Sequence, residues 1–568
     1  MDSQAILKKC AANIANLLAE SSKEVPWEVK QRGVLELIQD ALWAIGKVYL
    51  VGGLPVLVER ESGAVVHLMP GKDLDRFLDA CGFLPGAGDW DKLLSRKLQS
   101  RLDIPHNFVH SIAHFDPETS TLFLNEWAGT FLKFDSDGIC TRHKVGEFDV
   151  LFDQAQEPHE PLDLDKINAQ SGPALAWTEE SPLVRFIFSI GKFSESSGIG
   201  RENCITVLLL FTLAILFQER VLVIPVCHLC GLSGSKKSAL SVALGWVLSG
   251  LGMKFSATAC PENVADVQNA LINAKGLLVL DEANSLRPLT NLIKSVVTGG
   301  EFKRRVLYTT DTERTYPIDC SLMLPANFDS ATDAALVARC LKIDMGNPGE
   351  DGEGWRGDFH VRQEWKREAV RQQCWEDLVL RCAAIMRYLK AAAVKGEDDI
   401  RVQHRMSGFW SFAVAIAKQE GTETERVVLG ALDAITAEQR RSLNTFDDIL
   451  PLLQDWISNS DKPTMRGVPA EPVVRRKRFL ASELGGILLR MFGHSNTMSQ
   501  PVRDILQSSF KLSNKLNGSQ EYRRILGMQV HRGRYGKEFS FDPPTEAVEI
   551  PQQADTLMAA VTPEKAAQ

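Results

Sequence analysis

The chain has 568 residues and a mass of 62.9 kDa, with 44% apolar and 24% charged residues. At roughly 100–200 residues per domain it holds several ordinary cores, which excludes a single small module, a disordered chain and a fibrous repeat. The formal charge of -8 excludes a uniformly basic nucleic-acid coat.

In chain order, residues 1–45 read as helix, opening on acidic and basic side chains before any apolar run, so no signal peptide is expected. From Val48 the run VYLVGGLPVLVERESGAVVHLM predicts strands and hairpins. A helical stretch over Asp73–Leu102 then precedes TLFLNEWAGTFLKFDSDGICTRH, whose alternation and Asp-Ser-Asp-Gly turn predict a meander. Residues 46–152 are therefore expected to be a strand-rich α+β domain. The segment FDQAQEPHEPLDLDK reads as a linker, and 153–220 as linker plus helices. Cys204–Phe217 is the most apolar run; at fourteen residues it is shorter than the roughly 18 a bilayer needs, so a buried helix and no membrane partner are expected. Eleven thinly spread cysteines predict a reducing, cytoplasmic setting.

Over 221–346 apolar runs (VCHLC, KFSAT, GLLVLDE, CSLMLPAN, CLKIDM) alternate with helical patterns, which predicts an α/β core with a parallel sheet. Directly after VCHLC stands Gly231-Leu-Ser233-Gly234-Ser235-Lys236-Lys237-Ser238. A strand, a glycine-containing loop and a helix start form a phosphate cradle, because inward backbone N–H groups and the helix terminus favour anions. In that reading Lys237 reaches the β- and γ-phosphates of ATP and Ser238 ligates Mg²⁺. Lys236 departs from the pattern, standing where a glycine or another small residue is usual. Two rival readings are weaker: the nucleophile-elbow pattern ends in Ser235 rather than glycine, and Cys227 and Cys230 lack a second CxxC pair.

Three further features follow in order. The strand GLLVLDE delivers Asp281 to the Mg²⁺ shell and Glu282 to the attacking water. SLMLPAN ends in Asn327, an amide suited to the water or the γ-phosphate. Arg339, after a short helical run, suits developing phosphoryl charge through its planar fork.

GLSGSKKS, GLLVLDEAN, SLMLPAN and ALVARCLKID together resemble the core of AAA+ ATPases, particularly ring helicases of superfamily 3 and minichromosome-maintenance type from phages and bacterial mobile elements. The resemblance covers about 125 residues. It implies a five-stranded αβα core, homo-hexameric assembly, ATP with Mg²⁺, and Arg339 acting on a neighbour's nucleotide. It also implies a channel hairpin that holds DNA, and EFKRRVLYTTDTERTYP has the pattern of one, with Lys303, Arg304, Arg305 and Arg314. A solvated basic turn is the alternative there.

Residues 360–456 are rich in helix formers, and SNSDKPTMRGVPAEP reads as a second linker. Over 475–545 two helices and a hairpin turning at Gly533–Gly536 predict a winged helix, with Arg523, Arg524, Arg532, Arg534 and Lys537 as DNA contacts or, alternatively, a protein-binding face. Residues 546–568 read as a disordered tail. From Arg475 to Phe541 there are 13 basic against 4 acidic residues, leaving -17 for the rest of the chain. The leading expectation is an ATP-driven ring motor on single-stranded or forked DNA, with the N-terminal domain as a collar or protein-binding surface. A nucleotide-switched initiator or defence-complex scaffold, and a protein remodeller without DNA, are the alternatives.

Overall fold

The computed structural model describes residues 3–20, 26–51, 54–83, 90–101, 103–153, 161–191, 193, 199–231, 233–249, 255–284, 286, 289–305, 313–327, 331, 333–346, 368–398, 400–445, 449, 452–453, 456–457, 478–492, 500–518, 526–533 and 536–541. The chain divides into two compact units, residues 1–439 and 440–568.

In the first unit, helices α1 (Ser3–Glu20) and α2 (Trp27–Ile45) share a core with the sheet β3-β2-β1-β4. Its strands are β1 (Gly46–Val51), β2 (Leu54–Glu59), β3 (Val65–His67) and β4 (His106–Asn107). The expected helical interlude is two helices, α3 (Lys72–Ala80) and α4 (Trp90–Gln99), which close the same core through Leu74, Phe77, Leu94 and Leu98. Next come β5 (Val109–His110), paired with β10 (Leu151–Phe152), and the antiparallel meander β6 (Ala113–Asp116), β7 (Thr121–Asn125), β8 (Thr130–Phe134) and β9 (Cys140–Lys144).

The cores cross the expected segment boundaries. Ile112, Phe115, Leu122, Leu124 and Leu132 join the large cluster built on the helices and sheet that follow, not the core under β1–β4. The reason is local: the apolar face of the meander meets the end of the buried helix, with the Phe115 and Phe217 rings 5.9 Å apart. Helices α5 (Leu164–Ala169), α6 (Pro182–Ile190), α7 (Arg201–Leu216) and α8 (Gln218–Val221) lead into the main sheet. Every residue of α7 from Cys204 to Leu216 is buried. Each large apolar side chain there contributes about 1.5–3 kcal/mol.

The main sheet has the order β12-β13-β16-β11-β17, with all neighbours parallel. It is formed by β11 (Val226–Cys230), β12 (Thr258–Ala259), β13 (Lys275–Asp281), β16 (Asp319–Ala326) and β17 (Cys340–Asp344). Continuous apolar runs suit such strands because both faces are covered; β11, VCHLC, is buried throughout, His228 included. Burial pushes the Cys227 thiol well up, and all eleven cysteines are free thiols. Helices α9 (Lys237–Leu248) and α10 (Val264–Asn273) pack on β13 and β16, and α11 (Thr290–Val297) precedes the hairpin β14 (Glu301–Arg305) and β15 (Glu313–Pro317). A short α12 (Ala334–Val337) precedes β17, and the long helices Glu368–Lys395, Ser407–Glu420 and Thr422–Thr445 follow.

In the second unit a strand Phe479–Leu480, helices Ala481–Phe492, Gln500–Gln507 and Ser509–Gly518, and the hairpin Gln529–Gly533/Gly536–Ser540 enclose a core of Leu484, Leu488, Leu512, Leu516 and Phe539. The expected second helix is interrupted at Ser508, whose hydroxyl accepts from Lys511 N at 3.3 Å while its carbonyl accepts from Leu512 N at 2.9 Å. A serine that caps a new helix start competes with continuing the old one. The expected second linker, residues 458–472, and the tail, 546–568, lie outside the described residues. Among the described residues no helix is long and apolar enough to cross a membrane.

Candidate nucleotide site

The loop after β11 leaves the sheet where its order reverses, between β16 and β17, the place at which open parallel sheets form a crevice. Gly231 is needed for close approach: a Cβ there would lie 2.7 Å from Ser235 Oγ and 3.1 Å from Met345 O. Gly234 has φ +87°, a region glycine enters without cost. Ser233 and Gly234 are exposed, Ser235 is buried, and Leu232 lies outside the described residues.

Lys236 caps α9 in the left-handed conformation, φ 65° and ψ 16°. The glycine-favouring residue of the pattern is thus a glycine-favouring backbone position in this chain, occupied by lysine. The strain is of order 1–2 kcal/mol.

Lys237 opens the helix and is buried. Its Nζ donates to Gly231 O at 2.9 Å, Ser235 Oγ at 3.3 Å and Asn327 Oδ1 at 3.2 Å. Burial lowers its pKa from the ordinary lysine value, with the Asp281 charge opposing. Ser238 Oγ donates to Asp281 Oδ1 at 2.8 Å, joining the loop helix to the end of β13. The same Asp281 oxygen accepts from Glu282 N at 2.9 Å.

Glu282 is exposed and has φ 56°, a second non-glycine residue in the left-handed region. The turn behind it is fixed by Asn284 N to Glu282 O at 2.6 Å and Ala283 N to Pro325 O at 2.9 Å. Asn284 went unassigned by sequence reasoning although it stands two residues after Glu282: its Oδ1 accepts from Asn327 N at 2.8 Å and so positions the amide that holds Lys237.

The fold thus brings together Gly231, Ser235, Lys237, Ser238, Asp281, Glu282 and Asn327. It does not bring Arg339 to them. Val226 N donates to Arg339 O at 3.0 Å, beside the start of β11, whereas the loop leaves from its end. Four strand steps at about 3.3 Å separate the two. Arg339 is buried, and its Nη1 donates to Ala335 O at 2.6 Å. Burial, followed by the charge of nearby Arg405, lowers its pKa, while Asp333 opposes. Arg405 is exposed and also went unnoticed, since single arginines on polar segments carry no sequence signal.

Lys303, Arg304, Arg305 and Arg314 lie on β14 and β15, in the register Lys303 to Thr315, Arg304 to Arg314 and Arg305 to Glu313. In the second unit Arg532 and Lys537 are exposed and directly opposite one another across the hairpin. Arg523, Arg524 and Arg534 lie outside the described residues.

No family model matches the sequence, and no curated protein matches it. Among solved structures, the chain is similar to the apo form of the NrS-1 C-terminal region, at 12% identity and a TM-score of 0.38, over 89% of this chain and 98% of that one. It is also similar to SCCmec type IV Cch, described as an active helicase, at 13% identity and a TM-score of 0.36, over 81% and 93%. Scores of this size leave the fold resting on the strand order and packing given above.

Proposed function

We propose that the chain is an ATP-driven, ring-forming motor on nucleic acid: a DNA helicase or translocase that serves replication of a phage or mobile element. The observation that carries the reading is the linkage of three strand ends in one place, Lys237 to Asn327 at 3.2 Å and Ser238 to Asp281 at 2.8 Å.

A hydroxyl and a carboxylate oxygen at that distance fit the oxygen donor set of Mg²⁺, so Ser238 and Asp281 would hold it. When bound, it neutralises phosphate charge. Lys237 binds the β- and γ-phosphates once they displace Gly231 O and Ser235 Oγ from its ammonium. Glu282 orients the attacking water and accepts its proton, and Asn327 holds Lys237 and the γ-phosphate side of the site. Arg339 serves a neighbouring subunit's nucleotide, which its distance from its own loop favours.

DNA is gripped by the β14–β15 hairpin and by a winged-helix-like second unit. Arg532 and Lys537 support this: like charges directly opposite destabilise a hairpin and are relieved by an anion. The test is ATP hydrolysis with and without single-stranded DNA. Stimulation that Glu282→Gln removes supports the motor, and DNA-independent hydrolysis by monomers contradicts it.

The left-handed Lys236 favours a second reading, a nucleotide-switched initiator or defence-complex scaffold with slow turnover. Tight ATP binding with negligible strand separation would select it.

A further inference from the structure

Away from the nucleotide site, three ligand-type side chains converge from three elements of the first unit. His110 lies on β5, His114 on β6 and Glu219 on α8. His114 Nδ1 is 2.9 Å from Glu219 Oε1, and His110 Nδ1 is 4.0 Å from the same oxygen. One donor atom of each residue lies within 4.8 Å of the other two. The second carboxylate oxygen accepts from Phe115 N at 3.1 Å, which anchors Glu219 with Oε1 toward the imidazoles. The rings of His110 and His114 stack at 4.0 Å and 21°, and Phe123 lies parallel to His114 at 5.8 Å. The side chains keep 20%, 24% and 34% of their exposure, so solvent reaches the cluster.

We propose that His110, His114 and Glu219 bind a divalent transition-metal ion of the zinc class. Two imidazole nitrogens and one carboxylate oxygen suit Zn²⁺, which takes four ligands and here leaves one position for water. Mg²⁺ and Ca²⁺ prefer all-oxygen sites and are disfavoured by the same donors. With metal–nitrogen bonds of about 2.0–2.1 Å, binding would draw the three donors together and rotate the nearly parallel rings toward a common point. The backbone bond from Phe115 to Glu219 acts as the outer support that such ligands need. The ion ties the β5–β6 strands to α8, which runs through Val221 and Leu222 into β11, the strand that carries the phosphate loop. The site is thus a brace between the strand-rich region and the start of β11.

The test uses the full chain, stripped of metal by chelator, and titrated with Zn²⁺ alone and with Co²⁺ alone in the presence of excess Mg²⁺. His110→Gln and His114→Gln are run in parallel, with folding checked by far-ultraviolet circular dichroism. The expected result is one Zn²⁺ per wild-type chain, and visible Co²⁺ bands without the near-ultraviolet thiolate band that cysteine ligation produces. Each variant should bind at least about 100-fold more weakly. Uptake by folded variants equal to wild type, a thiolate band, or no uptake by the folded wild-type chain overturns the site and leaves a hydrogen-bonded histidine–glutamate pair. Should a variant fail to fold, the wild-type stoichiometry and cobalt spectrum still decide.

Discussion

Lys237 is held tightly: among the described residues three oxygens accept from its ammonium, and burial already lowers its pKa. Phosphate oxygens are better partners for that charge than a carbonyl and a hydroxyl, so Lys237→Ala should cut ATP turnover by about 100-fold or more. A coupled phosphate-release assay reads this directly. Glu282→Gln keeps the side-chain shape and removes the base, so ATP binding should survive while turnover falls by a similar factor. Lys236 gives a backbone prediction. Lys236→Gly relieves about 1–2 kcal/mol of left-handed strain but adds unfolded-state entropy of about 0.5–1 kcal/mol, so chemical denaturation should show stability unchanged or raised by up to about 1 kcal/mol. Lys236→Val, branched at Cβ, should lose about 1 kcal/mol or more.

At the scale of elements, β17 is tied to the helices beyond it. His404 Nδ1 accepts from Met406 N at 3.0 Å, its Nε2 lies 3.0 Å from Gln439, and Gln439 Nε2 donates to Cys340 O at 3.0 Å. The Met406 bond requires Nδ1 to be unprotonated, so Nε2–H donates to Gln439. Burial lowers the His404 pKa, with the Gln439 bond opposing. Below the ordinary histidine pKa of about 6.5 the unfolded chain binds this proton and the folded chain does not. Stability should therefore be intact above about pH 6.5 and fall as pH drops through the window below it. The melting temperature of wild type minus that of His404→Gln, followed from pH 7.5 to 5.5, isolates this contribution. In the second unit, Arg532→Ala and Lys537→Ala should each weaken DNA binding and reduce the salt slope by about one, as phosphate contacts do; fluorescence anisotropy across salt concentrations measures both.

The elements also show what a single sequence conveys. β11, α9, β13 and β16 were legible because their apolar runs end on residues with one shared chemistry, and α7 because its apolar run had no polar face. The break at Ser508 was not legible, because the pattern Gln500–Gly518 is amphipathic on both sides of it and only the cap geometry separates two helices. Asn284, Arg405 and the His110, His114 and Glu219 cluster were invisible for another reason. Their partners are distant in sequence, and each residue alone has the type of an ordinary surface or turn position.

For the molecule as a whole, charge and chemistry are divided along the chain. The segment from Arg475 to Phe541 carries an excess of nine basic residues while the remainder stands at -17, so on the proposed reading attraction to DNA would be concentrated there and in the β14–β15 hairpin rather than spread over the surface. On the proposed reading, a ring would give Arg339, remote from its own loop, a neighbouring subunit's nucleotide to act on. The most direct measurement is the ATPase rate and particle mass of the full chain with Mg²⁺-ATP, with and without single-stranded DNA, at two salt concentrations. The account predicts a ring-sized assembly whose hydrolysis DNA stimulates, less so at high salt, and which Glu282→Gln abolishes. A monomer that hydrolyses ATP at the same rate with and without DNA would contradict it.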